Sequence, residues 1–321
     1  MGYQTSIKNQ LSDDRIIVAP GVHDALTARA AEIVGGFGAL YMTGHGVSLS
    51  VTGYPDAGLA TMSEQVRSAH AIQETTSIPV LADADTGYGN ATNLIRTVRE
   101  FSRTGVAAIH IEDQVLPKRC GHVAGREIIS REEAIGKYRA AADTRDQYNE
   151  EMCIVARTDA RGAVGGSLEE AISRMHDYLD AGADIAFVES PETAEEVERI
   201  GEEIDGVLWY NCVGLSPKLE PEELENMGFD IVIYPLAATR ATIENTIIHM
   251  NDIKERGTAA EADIDERFDK LPFETEFQDP ALRKFFEFGG YPQIYEWEDE
   301  YLPDNNDAKY EGTLGEDISR K

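Results

Sequence analysis

Residues 78–90 read Ile-Pro-Val-Leu-Ala-Asp-Ala-Asp-Thr-Gly-Tyr-Gly-Asn, and after a helical pattern residues 108–122 read Ala-Ile-His-Ile-Glu-Asp-Gln-Val-Leu-Pro-Lys-Arg-Cys-Gly-His. Each stretch opens on a short apolar run and closes on carboxylates, Asp83 and Asp85 in the first and Glu112 in the second. A strand that runs straight into acids carries them at its C-terminal end. The helical pattern between the two runs is the crossover that parallel strands require.

The same unit recurs along the chain. Strand patterns fall at Ile16 to Ala19, Leu40 to Thr43, Val80 to Asp83, Ala108 to Glu112, Cys153 to Arg157, Ile185 to Val188, Leu208 to Asn211 and Ile231 to Tyr234. Between them lie stretches with apolar residues at three and four spacing, such as Asn90 to Thr104 and Leu168 to Ala181. Eight such repeats predict an α/β fold, a closed (β/α)8 TIM-type barrel, with an open doubly wound sheet as the runner-up. Thr43, Asp83, Asp85, Glu112, Arg157, Glu189 and Asn211 all lie at or just past a strand's C-terminal end, the rim where barrel active sites are built. The connections Gly44 to Ser63 and Asp113 to Ser130 are long for βα loops and are candidate lids. Beyond residue 256 the sequence turns acidic and aromatic, with Phe285-Phe286-Glu287-Phe288 and Tyr291 to Trp297. We divide the chain into a barrel over 1–256 and a C-terminal helical extension with an acidic tail over 257–321, whose aromatics need a surface to cover.

Acidic residues outnumber basic ones 59 to 29, for a formal charge of -30, and only nine of the basic residues are lysine. That balance opposes nucleic acid and anionic membrane as partners. It is also the surface of proteins that work in concentrated salt, so a cytoplasmic location in a salt-accumulating (halophilic) organism is expected. No run of eighteen apolar residues and no signal-peptide pattern is present. Three cysteines, an odd number at no metal-ligand spacing, argue against a disulfide framework or a zinc site. Cys153 and Cys212 sit in apolar runs and read as core. Cys120 stands among Lys118, Arg119 and His122, a setting expected to lower a thiol pKa. His110 alternates with Ile109 and Ile111 and reads as an interior histidine. Asp83 and Asp85 before Thr-Gly could merely make a turn. Paired carboxylates at a strand end are also what a hard divalent cation requires.

From Lys118-Arg119-Cys120-Gly121-His122 outward the chain resembles the isocitrate lyase and phosphoenolpyruvate mutase superfamily, near its short methylisocitrate lyase type. Tyr41-Met42-Thr43-Gly44, Gly53-Tyr54-Pro55-Asp56, Ala156-Arg157-Thr158-Asp159 and Tyr234-Pro235-Leu236 carry the same resemblance. It implies a Mg2+ (or Mn2+) cofactor, a small carboxylic-acid substrate, and a homotetramer with exchanged C-terminal helices. By position it makes Asp83 and Asp85 metal ligands, with Asp56 and Glu112 nearby. Thr43, Gly44, His45, Arg119, Gly121, Glu189 and Asn211 would then bind substrate. Catalysis would fall to Cys120 and His122 for proton transfer, Tyr41 as base for the substrate hydroxyl, and Arg157 on the substrate's oxygens. The implied reaction is cleavage of a 2-methylisocitrate-type or isocitrate-type acid into a 2-oxo acid and a dicarboxylate such as succinate. Dimethylmalate lyase, oxaloacetate acetylhydrolase and carboxyphosphonoenolpyruvate mutase are the alternatives, and Ser216 keeps the hydrolase among them. Two places depart from the pattern: His45 stands where the short lyases have a small residue, and the loop 211–217 is shorter than theirs.

The charge makes one prediction without reference to any site. Raising KCl from about 0.1 M to about 2 M should raise the thermal midpoint by screening self-repulsion, and an unchanged midpoint would remove the high-salt reading.

Overall fold

The computed structural model describes residues 7–11, 15–272 and 280–303. Its strands are β1 (Ile17–Val22), β2 (Leu40–Met42), β3 (Val80–Asp83), β4 (Ala108–Glu112), β5 (Cys153–Thr158), β6 (Ile185–Val188), β7 (Val207–Asn211) and β8 (Ile231–Tyr234). All pair in parallel in chain order, and β8 returns to β1 with Ile17 opposite Ile231. The sheet is therefore the closed barrel expected, and the doubly wound alternative falls.

The helices are α1 (Ile7–Gln10), α2 (Ala25–Val34), α3 (Gly44–Thr52), α4 (Met62–Gln73), α5 (Ala91–Ser102), α6 (Arg131–Tyr148), α7 (Leu168–Asp180), α8 (Ala194–Glu203), α9 (Pro221–Asn226) and α10 (Ala237–Arg256). Most start on a short polar residue whose side chain accepts a backbone N–H: Asp24, Thr43, Thr61, Asn90, Ser130, Ser167 and Thr193. The first half of the expected lid at 44–63 is thus helix α3, fixed by Thr43 at its N-cap.

Alternation along the strands decides what enters the barrel. Leu40, Met42, Val80, Ala82, Ile109, Ile111, Ile154, Leu208 and Val232 belong to the core under the helices. The residues between them, including Tyr41, Leu81, Ala108, Val155, Phe187, Trp209 and Ile233, fill the interior together with Ile7. That parity carries Asp83, His110, Glu112, Arg157 and Asn211 inward at the C-terminal ends. Beneath them lies an aromatic floor in which Trp209 stacks on Phe187 (5.7 Å between centroids) and meets Tyr41 edge-on (5.7 Å). Cys153 is buried in this interior, where burial pushes its thiol up to about 12.

The chain forms two compact units, Met1–Ala241 and Thr242–Lys321, whose division falls inside α10. The reason lies in α10 itself, where Thr239 is buried while Ile243, Ile247, Ile248 and Met250 are exposed. The second unit continues through α11 (Thr258–Asp269), α12 (Pro280–Gly289) and α13 (Tyr291–Tyr301). Within it Phe286 meets Tyr291 edge-on at 4.9 Å, while Phe285, Trp297 and Tyr301 are exposed. The acidic tail beyond residue 303 lies outside the described residues. No helix among the described residues is long and apolar enough to cross a membrane.

Asp113, just past β4, ties the rim to the helical layer. Its Oδ2 accepts from Thr158 Oγ1 (2.7 Å) and Tyr178 OH (2.8 Å), with Arg174 Nη1 at 3.3 Å, and its Oδ1 accepts from the Asp159 N–H (2.9 Å). Replacing it leaves the Tyr178 and Thr158 hydroxyls and the Asp159 N–H buried without this acceptor, while Arg174 keeps Glu170 and the Ile129 carbonyl. Asp113→Ala should cost about 3–5 kcal/mol, read as a lower urea midpoint. A loss below about 1 kcal/mol would show that the network is not integral to the fold.

Candidate active site

The site grows from the ends of β2 to β7. Gly44 follows β2 and its N–H donates to Asp83 Oδ2 (3.2 Å). A Cβ there would stand 2.3 Å from that oxygen, so only glycine lets α3 start against the carboxylate. Asp83 Oδ1 accepts from the Asp85 N–H (2.8 Å), and Asp85 is held in the left-handed region at φ 47, a conformation aspartate tolerates better than most residues. These contacts gather Asp83, Asp85 and Glu112 around one point.

An ammonium occupies that point. Lys118 Nζ lies 2.6 Å from Asp56, 2.7 Å from Asp85 and 4.0 Å from Glu112, and it is buried. Burial disfavours its charge, but Asp85, Glu112, Asp56 and Asp83 outweigh burial and hold the lysine pKa well above its usual value. Among the acids, burial drives Asp85 up to about 6 and Glu112 well above the carboxylate range, against the pull of Lys118. Asp83 feels the same burial, yet His110, Lys118 and Arg157 more than offset it and leave the carboxyl well below its usual value. Both oxygens of Glu112 have no hydrogen-bond donor, and Asp85 Oδ1 is met only by the Lys118 ammonium.

A second cluster faces the first across Arg157. Its guanidinium lies 3.4 Å from Glu112, 2.9 Å from Asp159 and 3.3 Å from Glu189, and stacks over Phe187 at 5.2 Å. Glu189 also accepts from Asn211 Nδ2 (3.1 Å), and His122 Nε2 lies 3.1 Å from its Oε1 but off the line of a hydrogen bond. Burial raises Glu189, but Arg157 and His122 outweigh it and keep the carboxyl far below its ordinary value. Gly121 passes so close that a Cβ would stand 2.5 Å from Arg157 Nη2. The Lys-Arg-Cys-Gly-His loop is therefore laid directly on this cluster.

The structure brings most of the expected residues together, and the surroundings of three differ from those expected. The Cys120 thiol is raised and not lowered: it is half-buried, burial dominates, and Asp56 adds to the rise while Arg157 only partly offsets it. Arg119 is exposed, its backbone N–H and carbonyl held by Gln114, so sequence adjacency does not set a guanidinium on the thiol. Tyr41 is buried in the floor, with its OH 2.8 Å from His110 Nε2 and 3.3 Å from Asp83 Oδ2. Burial and Asp83 hold its phenol well above its usual pKa, so it keeps its proton and serves as a donor. Thr43 Oγ1 accepts from the Gly46 N–H (3.3 Å), and His45 is half-buried near Cys120 and Asp56. Lys118 and Asp159 were missed as site residues. Lys118 was read only as a charge beside the Cys120 thiol, although Arg157 and Asp159 at i and i+2 about the end of β5 could have been paired.

The family described as Phosphoenolpyruvate phosphomutase matches residues 7–254. The chain belongs to this family, within the phosphoenolpyruvate mutase and isocitrate lyase superfamily. It is 50% identical to a 2,3-dimethylmalate lyase of Eubacterium barkeri over 260 residues, 78% of this chain and 88% of that protein. A 2-methylisocitrate lyase of Aeropyrum pernix matches at 41% over 266 residues, 82% of each chain. The stronger likeness is thus to a dimethylmalate lyase and not to the methylisocitrate type. A 2,3-dimethylmalate lyase crystal structure superposes with TM-score 0.83 at 34% identity, over 98% of this chain and 99% of that one. A phosphonopyruvate hydrolase in complex with oxalate and Mg++ superposes with TM-score 0.81 at 28% identity, over 94% and 100%.

The residues present fit such a cation. Glu112 oxygens without a donor, an Asp85 oxygen met only by an ammonium, and two buried carboxyls raised chiefly by that burial are what an all-oxygen divalent site looks like without its ion. Mg2+ should therefore raise the thermal midpoint reversibly by chelator, and Asp85→Ala should fold yet lose that response. An equal Mg2+ response in the variant would remove Asp85 from the cation site.

Proposed function

We propose that this protein is a divalent-cation-dependent carbon–carbon lyase acting on a 2-hydroxy dicarboxylate of the 2,3-dimethylmalate type, which it splits into pyruvate and propionate. The observation that carries this reading is the rim itself. Buried acids surround a cation position on one side, and Cys120, His122 and Glu189 face it on the other. Mg2+ or Mn2+ held by Asp83, Asp85, Glu112 and Asp56 would polarise the substrate's hydroxyl and carboxylate oxygens.

The remaining chemistry belongs to the chain. Arg157 orients a substrate carboxylate, and Thr43 and Gly44 offer the α3 N-terminus to the other. As the C2–C3 bond breaks, the hydroxyl proton leaves toward a rim carboxylate, its oxygen becomes the keto oxygen of pyruvate, and the bond's electron pair stays on C3. Tyr41 steadies Asp83 as a hydrogen-bond donor during this step. The thiol of Cys120 protonates C3 to give propionate, and solvent restores the thiol. A high thiol pKa suits that task, because a donor must hold its proton until the carbanion forms.

Two features favour a dicarboxylate over a tricarboxylate. The buried cations at the acid cluster are Lys118 and Arg157, while Arg126 is held by Asp159. His45 also adds bulk where the short lyases have a small residue. A second reading, oxaloacetate hydrolysis, is favoured by Ser216, whose buried Oγ has no partner. The protein would act in the cytoplasm as a homotetramer, its C-terminal helices covering a neighbour with the exposed Ile243, Ile247 and Met250.

The enzyme should release pyruvate from 2,3-dimethylmalate in Mg2+ faster than it cleaves 2-methylisocitrate or isocitrate, with no acetate from oxaloacetate. Preferred acetate release would replace the lyase reading with the hydrolase one. Cys120→Ser should lower kcat by roughly two to four orders of magnitude with KM little changed. A near-normal kcat would take the thiol out of the reaction.

A further inference from the structure

Beside the all-oxygen cluster stands a different set of donors. His45 opens α3, Asp56 lies in the connection to α4, and Cys120 lies in the loop after β4. One ligand atom of each falls within 4.8 Å of the other two. Nothing described hydrogen-bonds the His45 ring. Asp56 gives one oxygen to Lys118 at 2.6 Å and keeps its second. All three residues are half-buried, accessible to an ion yet shielded from bulk solvent.

An imidazole nitrogen, a carboxylate oxygen and a sulfur are the donors of a borderline-soft cation and a poor set for Mg2+, which prefers oxygen throughout. We propose that His45, Asp56 and Cys120 form a second metal site, which takes up a transition-metal dication such as Zn2+ and leaves a fourth position open. Zinc bond lengths of about 2.0–2.3 Å place tetrahedral ligand atoms about 3.4–3.7 Å apart, so the three side chains must close by about 1 Å. Binding would displace the thiol proton to solvent and form a metal–thiolate bond. Asp56 borders both clusters, so the two ions sense each other. On the lyase reading above, the thiolate so held could no longer protonate the carbanion, and the site would switch the enzyme off when transition metal is in excess. That consequence rests on the proposed function, whereas the binding does not.

The test uses the full chain in excess Mg2+, titrated with Co2+ and followed by thiolate-to-cobalt charge-transfer absorption, with Zn2+ binding measured by calorimetry. One equivalent should bind with a thiolate band. Cys120→Ser should abolish the band, and His45→Ala should weaken Zn2+ binding by at least about tenfold, since loss even of an outer-shell partner costs that much. Zn2+ should also protect Cys120 from iodoacetamide in the wild type. Absence of a thiolate band, or a band and affinity unchanged in folded His45→Ala, would overturn the proposal. Binding as described in a protein without lyase activity would leave the site standing and defeat the lyase reading alone.

Discussion

Lys118 Nζ, 2.6 Å from Asp56 and 2.7 Å from Asp85, sits inside a group of buried carboxylates that could not coexist ionised without a cation. Burial raises the pKa of Asp85 and Glu112, and their acidic neighbours add to the rise. The ammonium relieves that repulsion only in part, since both oxygens of Glu112 are still without a donor. The rim is therefore organised around positive charge before any substrate arrives, and on the proposed function an anionic hydroxy acid would complete what a divalent ion would begin. This local demand runs against the whole-chain charge of -30, which by itself would repel such a substrate.

The barrel makes the arrangement possible through parity. Asp83, Glu112 and Arg157 share the inward phase of adjacent strands, with Asp83 opposite His110 and Glu112 opposite Arg157 in the sheet register. A shift of one residue in any of these strands would turn its charge into the helical layer. Below them the packed rings of Tyr41, His110, Phe187 and Trp209 close the barrel to water and keep the local dielectric low, which strengthens each ionic contact above. The same burial explains why the thiol and the phenol hold their protons so tightly. Proton donors in this site are made by desolvation, not by neighbouring positive charge.

Much of this was legible in the sequence. The strands at 80–83, 108–112, 185–188 and 231–234 coincide with their patterns because β-branched runs bounded by acids, glycine or helix caps leave little freedom of register. His110 was placed correctly because alternation alone fixes its direction. What escaped were relations between loops. Arg119 and Cys120 are sequence neighbours, yet the thiol is governed by burial, the His122 backbone, Asp56 and Arg157, and not by Arg119. Lys118 was read only as a neighbour of the Cys120 thiol, because its acidic partners come from three separate parts of the chain. The unit boundary inside α10 was invisible for a similar reason, since the helical pattern runs unbroken through 241 while its burial does not.

If the rim is built for a divalent ion and Lys118 stands in its place, the lysine must yield when the ion binds. Calorimetric titration of Mg2+ into the wild type and into folded Lys118→Met tests this directly. With the competing ammonium gone, the variant should bind Mg2+ more tightly than the wild type. Equal or weaker Mg2+ binding by the variant would contradict the account, because the lysine would then not occupy the position of the cation.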